Sequence, residues 1–112
     1  MVLHQMRLHP EPFHKIKEGT KIIEMRLNDE KRQKIEIGDQ IEFENRESGE
    51  KLTAMVIALY RFATFNDLYN SLNKRDLGYA DDETANPNDM AQYYTEEDIK
   101  KYGVLGIELH TL

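Results

Sequence analysis

Alternating apolar and polar positions mark five segments of the chain as β-strands. Residues 40–44 show the pattern most clearly, because Ile41 and Phe43 alternate with two glutamates and so give one buried and one solvent-facing side. A longer stretch at 51–62 exceeds the usual strand length and predicts a bulged or strongly bent strand. The predicted strands are residues 2–8, 21–27, 40–44, 51–62 and 104–109.

Capping residues and helical spacing predict short helices between these strands. Pro10 suits the first turn of a helix, and Gly19 supplies a left-handed C-cap. Thr64 and Thr95 each precede a helical pattern and can cap its N-terminus. Residues 75–86 have no period and predict a loop, long for so small a domain, that is a candidate lid or recognition loop. The predicted helices span about 10–19, 64–72, 87–94 and 95–102.

The order of these elements predicts the fold class. Strands precede, separate and follow the helices, which is typical of an α+β fold: a small mixed, mainly antiparallel β-barrel with short helices at its rim. The 112 residues are enough for one hydrophobic core, so residues 1–112 are predicted to form a single domain.

Cysteine content and hydropathy indicate the cellular compartment of the protein. The chain has no cysteine, which excludes disulfides and thiolate metal sites and fits a reducing cytoplasm. Its first residues lack a basic segment followed by an apolar run, and no stretch approaches membrane-spanning length. We expect a cytoplasmic protein without a membrane partner.

The distribution of charge leaves two interpretations open. The formal net charge of -6 argues against a general polyanion binder. Residues 1–34, however, hold eight basic and five acidic side chains, a local charge of +3, so the remainder carries -9. A basic end on an acidic body is compatible with one localised anion or nucleic-acid site, and equally with a solvated helix and turn rich in lysine.

Three charged residues interrupt the second predicted strand: Lys21, Glu24 and Arg26. Alternation places Glu24 and Arg26 on one face of this strand and Lys21 on the other. Glu24 and Arg26 could form a structural ion pair. Alternatively, Glu24 orients Arg26 or accepts a proton at the mouth of a cavity, where Arg26 contacts a phosphate, a carboxylate or a base edge. Lys21 could contact an anion or act as a base or nucleophile.

Three segments form an ordered pattern over nearly the whole chain. Residues 19–26 read Gly-x-Lys-x-x-Glu-x-Arg, residues 37–43 read Ile-Gly-Asp-x-Ile-x-Phe, and residues 102–107 read Tyr-Gly-Val-x-Gly-Ile. This pattern resembles the ASCH domain, a branch of the PUA-like superfamily. The resemblance implies a PUA-like β-barrel with a cleft between barrel and helices, in which Lys21, Glu24 and Arg26 bind RNA or a modified nucleoside.

The resemblance also implies an alternative, enzymatic function. Some bacterial ASCH members are amidohydrolases that remove the acetyl group of N4-acetylcytidine, and others are reported as ribonucleases. The amidohydrolase pattern has a lysine, a threonine three residues later and a downstream glutamate. Lys21 matches the lysine, Glu24 replaces the threonine, and Glu83 lies in a plausible loop for the glutamate. Glu24 could still activate water while Lys21 or Arg26 stabilises the oxyanion.

Tyrosines and further basic residues complete the predicted site. Tyr79, Tyr93 and Tyr94 could stack on a base or pack at the rim. The histidines lack ligand spacing, and the acidic run 81–83 is better explained as solvated loop than as a cation site, so no metal or cofactor is predicted. The predicted partner is RNA, a nucleotide or a nucleoside, and the oligomeric state stays open. The candidate catalytic residues are Lys21 and Glu24; the candidate ligand-binding residues are Lys17, Lys21, Glu24, Arg26, Tyr79 and Tyr93; and Lys15, Lys17, Lys31 and Arg32 would position phosphates.

Overall fold

Five strands and several short helices form the protein in a computed structural model that describes residues 2–112. The predicted elements are all present, although the second strand begins two residues later than predicted and the last strand runs two residues further. The elements are β1 Leu3–Leu8, α1 Pro10–Glu18, β2 Ile23–Leu27, a 3-10 turn Arg32–Lys34, β3 Gln40–Asn45, β4 Lys51–Phe62, α2 Phe65–Ser71, α3 Asn88–Ala91, α4 Glu96–Tyr102 and β5 Val104–Thr111.

The strands form one curled sheet in the order β1-β3-β4-β5-β2. β1 runs parallel to β3 and the other neighbours are antiparallel, which confirms the mixed, mainly antiparallel prediction. A shift of register between Val56 and Ala58 gives β4 the predicted bulge. The sheet is a half-barrel whose edges, β1 and β2, approach each other closely enough for a side chain of β2 to reach a backbone carbonyl of β1.

Two clusters of buried side chains stabilise this arrangement, one on each face of β2. The interior of the half-barrel contains Phe13, Phe43 and Ile107, among others. The second cluster joins Ile23 and Met25 to the short helices. Glu24 and Arg26 lie opposite Ile107 and Leu105 of β5, and cross-strand partners share a face, so these two charged side chains point toward the barrel interior.

Asp39 fixes the turn that leads into β3. Its carboxylate accepts hydrogen bonds from Nε2 of His4 at 2.8 Å and from the backbone nitrogens of Glu36 and Val2 at 3.0 and 3.1 Å. The bond with His4 and the two backbone bonds lower the pKa of Asp39 to about 2. The turn therefore depends on an ionised Asp39.

This pKa predicts a pH-dependent contribution to stability. Because the folded pKa is lower than the ordinary value of 3.8, the contribution is complete above that value and is lost as the pH falls toward 2. We expect wild-type protein to lose more unfolding free energy between pH 5 and pH 2 than Asp39→Asn does, as measured by urea unfolding. Parallel pH profiles for the two proteins would contradict this assignment.

Candidate functional site

Lys21 lies in the segment that connects α1 to β2. Its backbone nitrogen donates to the carbonyl oxygen of Lys15 at the end of α1, and the nitrogens of Ile22 and Ile23 both donate to the carbonyl oxygen of Asp76. Lys21 is therefore outside the strand, and strand alternation does not determine where its side chain points. The prediction that it faces away from Glu24 is wrong, since its ammonium lies beside the Glu24 carboxylate.

A buried ionic network joins the three charged residues. Nζ of Lys21 lies 3.2 Å from Oε1 of Glu24. Nε and Nη2 of Arg26 donate to Oε2 of Glu24 at 3.0 and 2.9 Å, and the backbone nitrogen of Met25 donates to Oε1 at 3.1 Å. Nη2 of Arg26 also donates to the carbonyl oxygen of Arg7 at 2.9 Å and so connects β2 to β1 across the opening of the half-barrel.

Burial and charge have opposite effects within this network. Burial alone would raise the pKa of Glu24, but the positive charges of Lys21 and Arg26 and their hydrogen bonds outweigh it, and the pKa is lowered. Burial would lower the pKa of Arg26, whereas Glu24 raises it, and the net shift is upward. The side chains of Lys21, Glu24 and Arg26 are only 7%, 4% and 17% exposed. With Lys21 as an ammonium, two buried cations are matched by one carboxylate.

The network lies in a cleft of about 590 Å³ between the barrel opening, the start of α1 and α3. Tyr93 lies at its rim and is 62% exposed. Tyr94 also lines the cleft, but its ring stacks on Phe65 with 5.9 Å between centroids, so its orientation is fixed by the second cluster. The cleft is further lined by Arg7, Leu8, His9, Glu11, Pro12, Met25, Arg46, Asp89 and Met90.

A chain of hydroxyl groups supports the wall of the cleft formed by α3. The hydroxyl of Tyr79 donates to Oδ2 of Asp89 at 2.7 Å and lies 2.8 Å from the hydroxyl of Tyr69 in α2. Burial, followed by these two bonds, raises the pKa of Tyr79. The chain ties the long loop before α3 to α2 and holds Asp89 at the cleft.

The comparisons with known proteins decide the family. The family model described as ASCH domain matches residues 6–112. The chain belongs to the ASCH domain family. ASCH domains have a PUA-like fold of a generally RNA-binding type, and the half-barrel with its short helices is this fold. No curated protein matches the chain.

Solved structures resemble this ASCH domain over its whole length. The crystal structure of the hypothetical protein PH0355 is 32% identical, has a TM-score of 0.83 and is aligned over 100% of both chains. The solution NMR structure of PF0455 from Pyrococcus furiosus is 34% identical with a TM-score of 0.69, and the alignment covers 98% of this chain and 97% of that one. ASCH from Zymomonas mobilis, 15% identical with a TM-score of 0.59 over 96% of this chain and 66% of its own, shares the fold.

The structure brings some of the predicted site residues of this ASCH domain together and leaves others apart. Lys21, Glu24, Arg26 and Tyr93 line one cleft. Lys17 lies outside it on the exposed side of α1, where it pairs with Glu50. Tyr79 lies behind α3 as a support, and Glu83 and Lys15 line a separate cavity, so the structure brings none of these three to the cleft.

Four residues that line the cleft of the ASCH domain were not predicted from the sequence: Arg7, Arg46, Asp89 and Met90. They come from β1, the hairpin after β3, and α3, and no local spacing connects them. The glycine of the long loop was missed as well. A Cβ at Gly78 would lie 3.2 Å from Cδ of Lys21, so the bare backbone of Gly78 covers the aliphatic stem of this lysine and explains its burial.

Residues 2–112 contain no group of three or more His, Cys, Asp or Glu side chains placed to hold a metal ion. Over the same residues, no helix has the length and apolar character needed to cross a bilayer.

Proposed function

We propose that this ASCH domain binds a nucleoside unit, free or within RNA, with its base in the cleft. The observation that carries the proposal is the cleft floor, where Lys21 and Arg26 share the single carboxylate of Glu24. Buried charges are normally paired, so an excess of one positive charge at the floor favours a ligand that brings an anionic or electron-rich oxygen. A base carbonyl or a phosphate supplies such an oxygen.

The rim of the cleft supports recognition of a base. Tyr93 presents an aromatic ring to solvent at the edge of the cleft, and aromatic side chains in such positions stack on unpaired bases. Met90 and Pro12 provide apolar surface in the same cleft. The ring and the cationic floor thus offer the two features that a nucleoside needs, a stacking surface and hydrogen-bond donors.

Asp89 adds an acceptor to this set. Its Oδ2 accepts a hydrogen bond from the hydroxyl of Tyr79. No side chain among residues 2–112 donates to its Oδ1, which can therefore accept a hydrogen bond from an exocyclic amino group of a ligand. Cytosine and adenine carry such amino groups. Tyr79, which does not line the cleft, would act on the ligand through Asp89.

The network supports binding rather than hydrolysis. A general base needs a free lone pair and a pKa near the working pH. Both oxygens of Glu24 already accept hydrogen bonds, and the pKa of this residue is lowered. In this proposal Glu24 orients Lys21 and Arg26 toward the ligand and does not itself remove a proton.

Nucleotide titrations of Tyr93 variants test the proposal. The probes are the four nucleoside 5′-monophosphates and N4-acetylcytidine, each titrated into the protein and followed by NMR. We expect at least one of them to shift the resonances of Arg26, Met90 and Tyr93. Tyr93→Ala should weaken that binding about 5- to 150-fold, since stacking contributes about 1–3 kcal/mol per base. Tyr93→Phe keeps the ring and should bind like the wild type.

Two results would overturn this function. The first is that every probe binds outside the cleft, or that Tyr93→Ala binds the probes with wild-type affinity. The second is turnover of N4-acetylcytidine or of single-stranded RNA that disappears in Lys21→Ala, which would make the protein a hydrolase.

A further inference from the structure

Another cavity, of about 570 Å³, lies along the outer edge of β1, beside the cleft. Its lining holds six of the 15 lysines and arginines of the chain but only two of the 21 acidic residues, on a protein whose net charge is -6. Cationic side chains are therefore concentrated on this surface, while the other residues hold nine lysines and arginines and 19 acidic side chains. We call it the basic groove, defined by Arg7, Arg26, Lys31, Arg32, Arg46 and Lys51.

The basic groove is continuous with the cleft. Arg7, Arg26 and Arg46 line both cavities, so a ligand can pass from one to the other without crossing neutral surface. The edge of β1 orders the cations of the groove, since Arg26 donates to the carbonyl oxygen of Arg7 and Lys31 donates to that of Gln5 at 3.2 Å. The two acceptor carbonyls are two residues apart on β1, so Arg26 and Lys31 lie one after the other along this strand.

The outer cations of the groove are available to a ligand. Arg7 and Lys51 are 59% and 58% exposed and make only loose ion pairs with Glu44 and Glu42, at 3.4 and 3.7 Å. Exposed pairs of this kind contribute about 0–1 kcal/mol, so exchanging a carboxylate for a phosphate costs little. Among residues 2–112, Arg46 has no ion pair.

From this arrangement we infer that the ligand is a single-stranded RNA segment rather than a free nucleoside. The inference rests on the proposed function: one base enters the cleft, and the phosphates of the adjoining nucleotides lie in the basic groove. Lysine and arginine contacts to phosphates position a strand without reading its sequence, which leaves selection to the cleft. A duplex would keep its bases stacked and unable to reach the cleft floor unless one were extruded.

Salt-dependent binding of RNA tests the inference. The probe is a fluorescein-labelled pool of single-stranded RNA 10-mers of random sequence, measured by anisotropy at several NaCl concentrations. The slope of log K against log[salt] changes by about 0.7 per phosphate contact in single strands. The double variant Lys31→Gln/Lys51→Gln alters only groove residues and removes two cations, so it should reduce the magnitude of the slope by about 1.4 and weaken RNA binding. Nucleoside monophosphates should bind the cleft of this variant with wild-type affinity.

A charge-matched variant serves as the control. Lys100→Gln/Lys101→Gln removes two exposed lysines of α4 that line neither the cleft nor the basic groove, and it should keep the wild-type slope. An unaltered slope and affinity in Lys31→Gln/Lys51→Gln would overturn the inference, as would equal binding of duplex RNA or equally effective competition by polyglutamate.

The test separates failure of the inference from failure of the proposed function. If Tyr93→Ala weakens both nucleotide and RNA binding while the groove variant does not affect RNA, the cleft stands and the groove assignment falls. If Tyr93→Ala changes neither while the groove variant weakens RNA binding, the surface is a general polyanion contact, and both proposals are overturned.

Discussion

Replacing Glu24 with glutamine is expected to destabilise the protein by about 3–5 kcal/mol, because it leaves the buried cations of Lys21 and Arg26 without their counter-charge. Glutamine has nearly the same shape, so packing is retained and the loss reports charge. Its amide nitrogen also places N–H donors beside the two cations, whose own N–H groups need an acceptor. Urea unfolding monitored by circular dichroism at pH 7 measures the effect.

Two further variants give this result its meaning. Lys21→Met should cost less than Glu24→Gln, since Arg26 remains to neutralise the carboxylate. Glu44→Gln removes the carboxylate of an exposed pair with Arg7 and should stay within about 1 kcal/mol of wild type. If Glu24→Gln were as mild as Glu44→Gln, the network would not be a charged, desolvated unit, and the argument for an anionic or electron-rich ligand atom at the cleft floor would lose its basis.

Local sequence patterns predicted most of the elements for physical reasons that the structure confirms. The hydroxyl oxygens of Thr64 and Thr95 accept hydrogen bonds from the backbone nitrogens three residues later, as expected for helix caps. Alternation in β3 and excess length in β4 predicted a half-buried strand and a bulge. These features depend on neighbours within a few residues, which a single sequence displays directly.

The position of Lys21 could not be predicted in this way. Two carbonyl oxygens hold the segment around it, that of Lys15 in α1 and that of Asp76, which is more than fifty residues away. Strand alternation predicted that Lys21 and Glu24 lie on opposite faces, whereas the family resemblance placed both in one cleft. The geometry agrees with the resemblance because a family pattern records tertiary contacts that periodicity does not contain.

The basic groove shows the same limit more strongly. Its cations come from β1, β2, the 3-10 turn, the hairpin and β4, and each is an ordinary surface charge in its own segment. The first third of the chain is basic, yet Lys15 and Lys17 from that third line neither the groove nor the cleft. Parallel pairing of β1 with β3 and the curl of the sheet bring the groove together, and neither can be read from spacing.

Gly103 joins α4 to β5 in a backbone conformation that other residues avoid. Its φ and ψ are 71° and -170°, a region occupied essentially by glycine alone. A Cβ here would also lie 2.8 Å from the carbonyl oxygen of Phe62, which is backbone and cannot rotate away. The glycine therefore lets β5 pass close to the end of β4, with which it pairs, and β5 carries the cross-strand partners of Glu24 and Arg26.

Gly103→Ala should accordingly destabilise the protein by on the order of 3 kcal/mol or more, the sum of an unfavourable backbone conformation and a steric contact. Gly49→Ala is the matched control, because Gly49 has a similar φ of 77° but nothing within 4 Å of its Cβ position. It should cost only about 1–2 kcal/mol, the penalty of a left-handed conformation. The difference between the two, measured by urea unfolding, reports the contact with Phe62 together with the less favourable backbone region of Gly103. Equal losses would show that β5 can shift away from β4 at little cost.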